Sequence, residues 1–154
     1  MALDRVVPLE TREGHKYLIK FNSFNLDVLP DGITVPIIDI TIEKVNDLAE
    51  TNNAGTLFQI AAIIKDYAIE NDVILYCYCD TAPIAKRSRE ILNQEFRSLL
   101  FIKMFEKQAN DEYLNEQIII NDPANGDHYI HLFSKIHNKP SIELIASELQ
   151  RFDK

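Results

Sequence analysis

The sequence predicts an α+β domain: a mostly antiparallel sheet carrying three helices, in the order β-β-β-α-β-α-β-β-α. Three observations lead there. The run at 37–42 alternates, the period of a strand, and 73–79 is apolar on both strand faces, whereas 56–71 and 139–152 repeat apolar residues every three or four positions, the period of a helix. Between two late β-rich runs, DPANGD supplies Pro123 and Asn125-Gly126, which is hairpin chemistry. With 154 residues, 46% of them hydrophobic, the chain fits one domain over 1–154 with interior enough to fold without staples.

In order, residues 1–16 read as a polar lead. Tyr17 to Asn22 alternates as a first strand, and Phe24, Leu26 and Val28 make a second short one, closed by a turn at Pro30, Asp31 and Gly32. In Ile33 to Val45 the proline at 36 removes a ladder donor, so the strand either starts after it or lies on an edge. Ile38, Ile40 and Ile42 share one face, opposed by Ile37, Asp39 and Thr41, as in a half-buried antiparallel strand. Asp47 to Gly55 is a polar connector. The first helix then stripes Leu57, Ile60, Ala61, Ile64, Tyr67 and Ala68, while Phe58, Ile63 and Ile69 widen the stripe enough to need cover on more than one side.

Only Asn71 and Asp72 separate that helix from the stretch around which the chain is arranged, Val73 to Leu100. Val73, Leu75, Cys77 and Cys79 share one strand face, and Ile74, Tyr76 and Tyr78 the other; both are apolar, which predicts a central strand. A second helix starts near Pro83, with Ile84, Ser88, Ile91, Leu92, Phe96 and Leu99 inward; its end falls somewhere in 100–105. Lys107 to Leu114 is loop-like, Gln117 to Asn121 and His128 to Ile136 form the hairpin, and Ile142, Ile145, Leu149 and Phe152 stripe a terminal helix begun at Pro140.

Composition excludes some functions. No run approaches the roughly 18 unbroken apolar residues of a membrane span, and the amino-terminal stretch has no apolar run of signal length, so a cytoplasmic protein is expected. A net charge of −8 opposes binding to phosphate backbones. Two cysteines two apart on one strand do not favour a disulfide.

The N-terminal strand meander, the apolar helix, the strand ending in Cys79-Asp80, the arginine-bearing helix with Phe96, the late hairpin and the HNKP turn at 137–140 together resemble an uncharacterised family of small soluble bacterial proteins, a domain of unknown function seen mostly in Bacteroidetes-type genomes. The resemblance covers most of the chain. That family often carries a further acidic residue in the turn where this chain has Ala82-Pro83. What it implies is a self-contained bacterial domain, and it brings no activity.

Four constellations compete for chemistry. Cys77 and Cys79 with His128, His131 and His137 have zinc-ligand character, but His128 and His131 lie three apart on a strand and project to opposite faces, so no metal and no cofactor is expected. Cys79 as a nucleophile is opposed by the neighbouring Asp80, and no catalytic residue is assigned. Asp80, Thr81 and Arg89 mark a ligand site at the strand-to-helix turn, where free helix N–H groups meet anions; the competing reading is a helix cap with Arg89 as its ion-pair support. Tyr129, His131 and Phe133 form an aromatic row that, if exposed, marks an interface. The leading expectation is a small acidic protein-binding or oligomeric module, an accessory or immunity-type component of a larger bacterial system, that self-associates or binds a protein partner. The alternative is an enzyme or sensor for a small anion or nucleotide at Asp80 to Arg89.

Overall fold

The computed structural model describes residues 3–11, 14, 16–24, 31–45, 54–79, 98–99, 102–103, 112–124 and 126–151. Six strands form one sheet: β1 (Arg5–Glu10), β2 (Lys16–Ser23), β3 (Ile37–Lys44), β4 (Ile74–Cys79), β5 (Tyr113–Ile120) and β6 (His128–Lys135). Helix α1 (Ala54–Glu70) connects β3 to β4, and a 3-10 turn at Ile136–Asn138 leads into α2 (Lys139–Gln150). The spatial order is β1-β2-β3-β4-β6-β5. Among the described strands only β3 and β4 pair in parallel, because α1 carries the chain back across the sheet between them; the other four pairs are antiparallel.

The α+β class and the mostly antiparallel sheet are as expected, and β4 is central. The helices differ: the described residues hold two, not three. The expected second helix lies largely outside the described residues, of which Ser98, Leu99, Ile102 and Lys103 are helical. The strands also have different occupants. Arg5–Glu10, inside the supposed polar lead, pairs with β2 along its whole length. It escapes an alternation rule because it is an edge strand: Pro8 is tolerated only there, and the burial contrast between its faces is weak. Phe24 sits outside any strand, its N–H donating to the Ile37 carbonyl at 2.9 Å, and the rest of the expected second strand lies outside the described residues. β3 starts directly after Pro36, whose carbonyl accepts from Ile74 N–H at 2.9 Å.

Two apolar layers flank the sheet. On one face Tyr17, Ile19, Phe21, Ile38, Ile40, Leu75, Cys77, Cys79, Tyr129 and Phe133 pack with Ile60, Ala61, Ile64, Tyr67 and Ala68 of α1. On the other, Ile37, Ile74, Ile118, Ile120, Ile130 and Leu132 pack with Ile142 and Ile145 of α2. Among the described residues the stripe of α1 packs on the sheet, and Ile69, expected to need cover, is 52% exposed. Gly32, at φ +95°, lets the loop before β3 turn close to Leu144 of α2. Where α1 meets β4, the Asp72 carboxylate accepts from Asn138 Nδ2 and His137 Nε2, each at 2.9 Å, while Asn138 also donates to Ser134 Oγ and Ser134 to the Val73 carbonyl. The HNKP turn and the end of β6 are thus tied to the junction of α1 and β4.

Candidate functional site

Residues 80–97 are not among the described ones, so Asp80, Thr81 and Arg89 lie outside them. The strand leading to them is well placed. Cys77 and Cys79 are buried under α1, and burial pushes the Cys77 thiol well above its ordinary range, which opposes thiolate chemistry there.

The aromatic row is not an exposed one in this chain. Tyr129, His131 and Phe133 are 9%, 1% and 3% exposed. The reason is topological: β6, late in sequence, lies between β4 and β5, so that face of it is interior. Phe133 stacks on Tyr113 with ring centroids 5.3 Å apart, and Tyr129 joins the core beneath α1.

His131 centres a buried polar network. Its Nδ1 lies 3.1 Å from Asn115 Oδ1, which can only accept, so the proton is on Nδ1 and Nε2 accepts the Ser98 hydroxyl at 2.7 Å. Gln117 Nε2 in turn donates to Ser98 Oγ at 2.6 Å. Hydroxyl, imidazole and amide follow one another as nucleophile, base and orienting group do in hydrolytic triads. Yet Ser98 is 0% exposed, and in this arrangement no substrate reaches its oxygen. Burial alone draws the His131 pKa down to about 4, so the ring is neutral at pH 7. Its work is to tie Ser98 to the sheet.

His128, on the opposite face of the same strand, centres a second network. Asp122, 2% exposed, accepts from His128 Nε2 at 3.0 Å, which leaves Nδ1 to accept the Tyr78 hydroxyl at 2.7 Å. Tyr78 is 41% exposed. The hairpin turn supplies Asp122, and Gly126, at φ +89°, closes that turn by donating to the Asp122 carbonyl at 2.8 Å. A solvent-facing phenol backed by imidazole and carboxylate therefore stands at the carboxyl end of β4, two residues before Asp80.

Sequence reasoning missed Ser98, Asn115, Gln117, Tyr78 and Asp122. For Asn115 and Gln117 a signal existed: two amides spaced by two belong to one strand face, but that is legible only with the strand begun at Tyr113. Among the described residues no three His, Cys, Asp or Glu side chains gather as metal ligands. No described helix is long and apolar enough to cross a membrane.

The two edges of the sheet differ. β1 has six residues, Pro8 within it and charges at Arg5 and Glu10, all of which discourage a further strand. β5 has eight residues, no proline and one charge, Glu116; among the described residues it ends the sheet, and Ile119 on it is 38% exposed. No family model, curated protein or solved structure matches the chain, so what can be said of function rests on this geometry.

Proposed function

We propose that the chain is a protein-binding module that accepts a partner's extended segment as a seventh strand along β5. The observation that carries this is the unblunted edge of β5. Such an edge presents a row of backbone donors and acceptors, and pairing them with an incoming strand supplies affinity while the alternating side chains supply selectivity. The buried, neutral state of His131 and the enclosed Ser98 hydroxyl, by contrast, favour a structural task for the network beneath that strand.

A second reading, an enzyme or sensor for a small anion or nucleotide, is favoured by the Tyr78–His128–Asp122 relay beside the turn at Asp80. Phage-displayed nonapeptides selected on the chain separate the two. Selected peptides are expected to slow amide exchange in β5 and to lose at least about tenfold in affinity on Ile119→Lys, which puts a charge on the edge without touching the core. Peptides that bind while β5 exchanges unchanged contradict strand addition. A ligand from a nucleotide and anion panel that raises the thermal midpoint of the native chain, and not that of Tyr78→Phe, would put the second reading first.

A further inference from the structure

We infer that the segment completing this sheet is cationic and comes from a different protein, not from a second copy of this chain; the inference rests on strand addition at β5. Along β5, Leu114, Glu116, Ile118 and Ile120 turn to the α2 face, and Tyr113, Asn115, Gln117 and Ile119 to the α1 face. Ile118 and Ile120 are buried, so the α2 face of the edge is an apolar floor interrupted by one exposed carboxylate, Glu116. Across the ladder Glu116 faces Leu132, and it makes no ion pair among the described residues. Among the described residues no strand lies on its other side.

A second copy is the wrong neighbour. Antiparallel strands set residues of like orientation opposite each other, so a symmetric pair centres on one residue of β5. Centring on Glu116 places two carboxylates directly across the ladder. Centring on Gln117 sets each Glu116 opposite Ile118 and leaves the two carboxylates diagonal on one face, roughly 7–8 Å apart. Centring on Ile118 separates the carboxylates but pairs only residues 116–120 of the strand. Each arrangement also joins two chains of net charge −8. A foreign strand with Lys or Arg facing Glu116 and apolar residues two positions to either side turns the same carboxylate into a cross-strand pair over an apolar floor.

Three synthetic nonapeptides of alternating Thr and Val, with Lys, Gln or Glu at the centre, test this against the native chain and Glu116→Lys. Binding is read by titration, and its place by amide exchange in β5. The native chain is expected to prefer Lys over Gln over Glu, by about tenfold from first to last at roughly 0.05 M salt and less at roughly 0.5 M; Glu116→Lys is expected to reverse the order. Equal affinity for all three, with β5 slowed, overturns the cationic partner and leaves strand addition standing. No slowing of β5 by any of them overturns both. A dimer in sedimentation that Ile119→Lys dissociates overturns the foreign partner in favour of a second copy.

Discussion

Replacing Phe21 by alanine is expected to lower stability by about 3–5 kcal/mol, the usual cost of truncating a buried aromatic side chain. Phe21 is 0% exposed at the middle of the layer between sheet and α1, and it stacks on Tyr67 with centroids 4.0 Å apart and planes within 9°. Tyr67 is itself held from the other side of the chain: its hydroxyl donates to the Leu3 carbonyl at 2.7 Å, and the Arg5 guanidinium lies 5.2 Å from its ring. The alanine variant therefore opens a cavity and loosens the ring that ties β1 to α1. Against a total stability on the order of 5–15 kcal/mol, that loss is close to unfolding. Urea titration measures it, and a loss under about 1 kcal/mol would mean that α1 does not pack on β2 as described.

Acidification from pH 7 to pH 4 is expected to remove roughly 3 kcal/mol through His131 alone, since its pKa falls from 6.5 to about 4 on folding and each unit corresponds to about 1.4 kcal/mol. The sign follows from proton counts. Between those two values the unfolded chain binds a proton that the folded chain refuses, so stability rises with pH; the contribution is complete above 6.5 and is lost as pH falls toward 4. Other groups act elsewhere or oppositely. The carboxyls of Asp4, held down chiefly by the Ser23 hydroxyl, and of Asp72, held down chiefly by Asn138, lose their contributions as pH falls below 3.8. Asp39, raised by burial, gains as pH falls. Urea midpoints of the native chain and His131→Gln across pH 4–7 isolate the effect: the slope flattens in the variant. Should that variant not fold, an NMR titration of the native imidazole serves, and a ring that protonates near pH 6.5 would overturn the account.

What the sequence made legible follows from contrast. VILYCYC, apolar on both faces, could only be central, and it is; Ile142 and Ile145, three apart after a proline, mark the face that α2 buries. The hairpin at 121–127 was legible because Pro and Gly carry turn chemistry in their covalent structure. Edge strands were not: RVVPLE buries little on either side, and the start of β5 is polar because Asn115 and Gln117 serve His131 and Ser98, contacts made across 16 and 19 residues that no local pattern records. The same holds for the relay, where Tyr78 of β4 meets His128 of the hairpin 50 residues away. Whether the aromatic row is exposed was open in the sequence, because strand order is not local information: β6, late in the chain, inserts between β4 and β5.

The openness of β5 is the claim on which the functional reading depends, and residue-resolved amide exchange of the free protein tests it most directly. An edge strand turns every second N–H away from its single neighbour. About half of the amides in Tyr113–Ile120, alternating along the strand, are therefore expected to exchange fast, while those of β4 and β6 stay protected. Uniform protection along β5 would mean that the edge is already occupied within the chain, and strand addition there would fail.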